Sequence, residues 1–145
     1  MNALHRYLGR LHDTVLSRQE IRIEELEILD RSDRPGQTSE FYARLRFLDD
    51  SQLQVVEKLV VERFTIAKLR YAYRYQRADG ALVFRYDNVP HYPEIRTFPH
   101  HKHVGDTVMP TRPPDLRGVR HFFASGYGGE RNMAGSNQSF LELQR

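Results

Sequence analysis

The stretch KLRYAYRYQRADGALVFRYD, residues 68 to 87, restricts the fold more than any other part of the chain. Leu69, Tyr71, Tyr73 and Tyr75 alternate with Lys68, Arg70, Arg74 and Gln76, the period-two pattern of a strand with one buried face. Asp79-Gly80 follows, and both residues tolerate positive φ, which makes the pair a strong hairpin signal. A two-residue turn there pairs residues whose numbers sum to 159. Tyr75 then faces Phe84 and Tyr73 faces Tyr86, an aromatic ladder on one face. On the other face Arg74 lies opposite Arg85. Asp87 lies opposite Ala72, diagonal to Arg70 and Arg74.

Two arginines in direct opposition repel unless something negative sits between them. The register therefore predicts one carboxylate among three guanidinium groups. Either Asp87 neutralises part of the cluster and the rest is solvated, or the surplus positive charge receives a phosphate, which suits the guanidinium fork. The tyrosine face is expected to pack as core. If it were open, its rings would offer stacking platforms for bases.

Other strands extend the hairpin. Ile21 and Ile23 alternate with Arg22 and Glu24, then the apolar phase slips to Leu26 and Ile28, which predicts a β-bulge near Glu24-Glu25. Residues 31 to 39 read as a loop. Phe41, Ala43, Leu45 and Phe47 share a face, residues 49 to 51 read as a turn, and residues 53 to 61 return. Before the strands, Leu4, Leu8, Leu11 and Val15 recur at helical spacing, so residues 3 to 17 read as an amphipathic helix with Arg6, Arg10 and Asp13 outside. The expected fold is α+β: an N-terminal helix packed on an antiparallel meander sheet of about five strands.

From Pro90 the pattern changes. Six of the seven prolines lie between Pro90 and Pro114, and regular strands are expected to stop there. A Pro/His-rich segment is followed by a short helix over residues 115 to 124, capped by Asp115. Residues 125 to 145 read as a flexible Gly/Ser/Asn-rich tail, leaving residues 1 to 124 as a single domain. The chain has no cysteine, which excludes disulfides, thiolate metal sites and a Cys nucleophile. With no long apolar run and no visible signal peptide, the expectation is a cytoplasmic protein that does not engage membrane. A net charge of +3 mildly favours an anionic partner.

Four of the seven histidines fall at positions 91, 100, 101 and 103. Three roles suit them: proton transfer or phosphate contact near neutral pH, a divalent-metal site, or loop residues that tie down a proline-rich segment. In an extended chain His101 and His103 share one face, while His100 and Lys102 take the other.

Tyr73, Tyr75, Gln76, Asp79-Gly80, Phe84-Arg85-Tyr86-Asp87-Asn88, Pro90-His91 and Phe98-Pro99-His100-His101-Lys102-His103 together resemble the signature of the TumE-type toxins of prokaryotic toxin–antitoxin pairs. The resemblance runs from about Tyr71 to Gly105. It departs at Tyr92, where the family usually has a second histidine. It implies a small cytoplasmic toxin neutralised by a cognate antitoxin protein. By analogy with toxin systems generally, the expected target is RNA. The expected activity is that of a metal-independent ribonuclease without cofactors. His101 and His103 would transfer protons, and Asp87 would orient a His or an Arg. Arg70, Arg74, Arg85, Lys102, His91 and His100 would contact phosphate. The alternatives are a non-catalytic growth inhibitor that binds nucleic acid or protein, and a metal-dependent nuclease that uses the histidines. A homodimer is left open.

Overall fold

The described residues of the computed structural model are 3–16, 21–34, 36–62 and 65–114. They form one helix, α1 (Ala3–Leu16), and seven strands: β1 (Arg22–Leu29), β2 (Ser39–Arg46), β3 (Gln52–Glu62), β4 (Thr65–Gln76), β5 (Leu82–Asp87), β6 (His101–Val104) and β7 (Thr107–Pro110). Every strand pairs antiparallel with its sequence neighbours, a plain meander. The expected sheet of about five strands is thus corrected to seven. The expectation that strands stop at Pro90 fails because Pro90, Pro93 and Pro99 fall in the β5–β6 connection. Pro110 ends the edge strand β7, where a missing N–H donor costs no ladder bond. The short helix and the tail expected after residue 114 lie outside the described residues.

Alternation sets the two faces. Phe41, Ala43, Leu45 and Phe47, Leu53, Val55 and Leu59, Tyr71, Tyr73 and Tyr75, and Phe84 and Tyr86 are all buried. They form one core with Leu4, Leu8 and Leu11 of α1. The aromatic face is therefore covered. The core face of β3 also carries a carboxylate. Glu57 is 0% exposed. It accepts hydrogen bonds from the Tyr7 hydroxyl of α1 at 2.6 Å and from the Tyr73 hydroxyl, and Lys68 Nζ lies 3.0 Å away. A buried charge needs such partners.

Bulges place the charged groups. The register shifts between Ile23 and Glu25, the bulge that the hydrophobic phase predicted. It lets Glu24 meet Arg44 at 3.3 Å and bond the Arg46 side chain. A second bulge, which the alternation did not reveal, lies at Leu69: Lys58 pairs with Arg70, but Leu59 pairs with Lys68. It flips the phase, so Leu69 is exposed and Lys68 turns toward the core. The Asn88 side chain fills the gap. Its Nδ2 donates to the Leu69 carbonyl, and its Oδ1 accepts the Tyr71 N–H.

The Asp79-Gly80 hairpin keeps the expected register by a different route. Arg77 N–H donates to the Ala81 carbonyl and Gly80 N–H to the Arg77 carbonyl, with Gly80 at φ +86°. This is a three-residue connection, Ala78 to Gly80, and the register shift between Tyr75 and Gln76 absorbs the extra residue. Tyr75 faces Phe84, Tyr73 faces Tyr86, Arg74 faces Arg85 and Ala72 faces Asp87, as the arithmetic predicts.

Candidate functional site

The sheet face opposite α1 carries the polar residues of β4, β5 and β6. Strand β6 pairs with β5 so that His101 lies opposite Asp87 and His103 opposite Arg85. This places both histidines beside the arginine row. A tight Gly105-Asp106 turn, with Gly105 at φ +56°, then reverses the chain into β7. The sequence reading passed over that turn, although Gly-Asp is a hairpin signal in its own right.

Asp87 is the centre of the cluster. It is 2% exposed. Oδ1 accepts the Val89 N–H at 3.0 Å and lies 3.0 Å from His101 Nε2. Oδ2 lies 2.8 Å from Arg85 Nε and 3.7 Å from His103 Nε2. His101 is as buried as Asp87, and its Nδ1 lies 2.9 Å from the Pro99 carbonyl, to which it donates. His103 is partly open, at 24% side-chain exposure. Burial, then the charge of His101, holds the His103 pKa below the ordinary imidazole value, against the upward pull of Asp87. The Tyr92 ring packs edge-on against both imidazoles, with centroids 5.0 and 5.9 Å away. Tyr92 therefore belongs to the cluster, which the sequence reading did not foresee.

The other candidates separate by face. Arg74 is exposed on the same face as Asp87, with no ion pair among the described residues. Arg70 donates to the Asn88 carbonyl at 2.8 Å. Further along the sheet, Arg44 and Arg46 are neutralised by Glu24 and Glu25. The positive charge of this face is therefore least compensated at Arg70 and Arg74, while Arg85 is ion-paired with Asp87. His91 is exposed and packs edge-on to Tyr92. His91 and His103 thus both pack edge-on against the Tyr92 ring.

Lys102 and His100 take the opposite face, as the period-two reading of an extended His-His-Lys-His requires. Lys102 lies over the Tyr86 ring at 4.9 Å and the Phe84 ring at 5.8 Å, and burial pulls its pKa down to about 8. His100 stacks on Tyr71, with Nδ1 3.0 Å from the Tyr71 hydroxyl. Neither shares a surface with Arg74 and Arg85.

No described helix is long and apolar enough to cross a membrane. Against known proteins, a family model described as Toxin TumE matches residues 12–125. No curated protein and no solved structure matches the chain. The matched span contains the whole of β1 to β7 and every candidate site residue, and the chain belongs to the Toxin TumE family.

Proposed function

We propose that this member of the Toxin TumE family is the toxin of a toxin–antitoxin pair and cleaves RNA on the outer face of its sheet. One observation carries the reading. A carboxylate–histidine cluster, Asp87, His101 and His103, shares one face with Arg70, Arg74 and Arg85, of which Arg70 and Arg74 make no ion pair among the described residues while Arg85 pairs with Asp87. Phosphate recognition and proton transfer are thus offered within a few strands of each other.

The chemistry follows from placement. Arg74 and Arg85 hold the phosphodiester by charge-assisted hydrogen bonds, and Arg70 extends the row. A base removes the 2′-hydroxyl proton, and the 2′-oxygen forms a bond to phosphorus. The bond from phosphorus to the 5′-oxygen breaks, and an acid protonates that oxygen. The products are a 2′,3′-cyclic phosphate and a 5′-hydroxyl. His103 is the group suited to accept the proton. It is partly open to solvent, and its lowered pKa keeps the ring neutral near pH 7. His101 is too buried to touch RNA, so it positions Asp87 and His103 instead. His91, exposed nearby, is the second imidazole available for the leaving oxygen. The two arginines stabilise the charge of the phosphorane, usually the largest share of such catalysis. Lys102 and His100, on the covered face, take no part. The antitoxin neutralises the chain by binding it.

Expression in a bacterial host without the antitoxin tests this reading. Wild-type chain should arrest growth, and His103→Ala should not, while retaining wild-type circular dichroism and melting temperature. Arrest by a folded His103→Ala chain overturns the assignment.

A second reading, cleavage assisted by a metal ion, is favoured by one feature of His101: its Nε2 faces Asp87 without a hydrogen bond.

A further inference from the structure

We propose that Asp87, His101 and His103 bind a divalent transition-metal ion. The inference uses the same cluster as the RNA reading but does not depend on RNA cleavage. It starts from the tautomer of His101. A neutral imidazole has one N–H. The Nδ1 of His101 donates to the Pro99 carbonyl at 2.9 Å, so in a neutral ring Nε2 carries the lone pair. That atom is buried, lies 3.0 Å from Asp87 Oδ1, and makes no hydrogen bond. In the neutral ring two acceptors face each other, on two residues that are each 2% exposed. An unpaired buried polar group is costly. A cation between the two atoms removes the conflict.

The spacing suits an ion. One ligand atom from each of the three residues lies within 4.8 Å of the other two. Metal–ligand bonds of about 2.1 Å, opened by angles of about 90° to 125°, separate the ligand atoms by about 3.0 to 3.7 Å. His101 Nε2 lies 3.0 Å from Asp87 Oδ1 and His103 Nε2 lies 3.7 Å from Oδ2, so the carboxylate offers one oxygen to each imidazole. The bond from Nδ1 to a backbone carbonyl is the usual outer-shell support of a metal-binding histidine, because it fixes both the tautomer and the ring plane. Edge-on packing by Tyr92 restrains both rings further. Two imidazoles and one carboxylate favour a first-row transition ion over magnesium or calcium. The half-open side at His103 leaves coordination positions for water or a phosphate oxygen.

Arg85 opposes the ion. Its Nε lies 2.8 Å from Asp87 Oδ2. The side chain is 41% exposed and can turn toward solvent when a cation enters, at a cost that lowers affinity. Micromolar binding therefore fits the site better than the tighter binding of a closed structural zinc. With an ion in place His103 becomes a ligand. Asp87, His101 and His103 would hold the ion, which would supply Lewis-acid chemistry at its open positions.

The test uses metal-stripped full-length chain titrated with Zn2+ and with Mn2+ by calorimetry. One ion per chain should bind at micromolar Kd or tighter, with a rise in Tm at saturation. His103→Ala, at the more exposed ligand, should weaken binding at least about tenfold, by the scale of ligand-shell losses. His12→Ala, on α1, should leave it unchanged. Absence of binding, or equal affinity in a folded His103→Ala chain, overturns the proposal. So does an Nε2-bound proton on His101 seen by nitrogen NMR at saturating Zn2+, because the ring would then be an imidazolium. Cleavage by a chain that binds no metal would leave the RNA reading standing alone. Binding without cleavage would leave the metal site standing alone.

Discussion

Replacing Asp87 by Asn isolates the charge at the centre of the cluster while keeping its shape. The carboxylate meets demands on both sides: Oδ1 takes the Val89 N–H, and Oδ2 stands 2.8 Å from Arg85 Nε as its counter-charge, without hydrogen-bond geometry. An amide has only one oxygen. With its oxygen toward Val89, the amide keeps that N–H but sets a neutral NH2 group against the Arg85 guanidinium; flipped, the NH2 group meets the Val89 N–H. Neither orientation restores the anion beside Arg85. Each buried group left unpaired costs about 1–3 kcal/mol. Breaking a fully buried ion pair costs about 3–5 kcal/mol. Arg85 is partly solvated, which places the expected loss near the lower figure, about 3 kcal/mol. For a domain of this size that is a fall of roughly 10 °C in Tm. Differential scanning calorimetry on wild-type and variant chain at pH 7 measures it, with urea denaturation as a second determination. A variant melting within about 2 °C of wild type would show that Asp87 carries no such demands, and the reading of the cluster would fall.

Three further outcomes are expected. Lys102 sits under aromatic rings with its pKa drawn down to about 8 from 10.5, so the folded state disfavours its charge. Stability should therefore rise as pH rises from about 8 toward 10, and Lys102→Met should stabilise the chain at pH 7 by about 2–3 kcal/mol, an advantage that vanishes near pH 10. A Lys102→Met chain no more stable than wild type at pH 7 contradicts this. Lys68→Met should cost about 3 kcal/mol, because Glu57 is fully buried, and Glu57→Gln in the same chain should restore more than half of it. Additive losses in a double-mutant cycle would refute the pairing. His100 has its pKa lowered, first by burial and then by His101. Its contribution is present above pH 6.5 and lost as pH falls through the lower folded value, so His100→Gln should flatten the acid limb of the stability–pH curve. An unchanged limb counts against it.

The part of the fold that local rules determine was legible in the sequence. Alternation and the 159 sum placed Tyr73 on Tyr86 and Arg74 on Arg85, and a one-residue phase slip marked the bulge beside Glu24. The bulge at Leu69 was not legible. Leu69 continues the apolar alternation, and the bulge is fixed by the side chain of Asn88, 19 positions away. Strands β6 and β7 were missed because proline density was taken as a property of the whole segment, whereas Pro90, Pro93 and Pro99 precede β6 and Pro110 closes β7. Glu57 was readable in hindsight, since it falls in phase with Leu53, Val55 and Leu59. At the site, the face shared by His101 and His103 followed from period two alone. Their pairing with β5, the burial of His101 and the packing of Tyr92 depend on the path of the β5–β6 connection, which no local pattern specifies.

The central claim is that the Asp87–His101–His103 face cleaves RNA. The most direct measurement incubates purified full-length chain with end-labelled RNA, with and without chelator, beside His103→Ala and Arg74→Ala. The account predicts cleavage products ending in 2′,3′-cyclic phosphate, none from His103→Ala, and weakened cleavage by Arg74→Ala with a shallower salt dependence. Loss of cleavage with chelator assigns the reaction to the metal-bound cluster; cleavage that survives chelation assigns it to the imidazoles. Salt-sensitive RNA binding with no cleavage under either condition, or cleavage undiminished in a folded His103→Ala chain, contradicts the account.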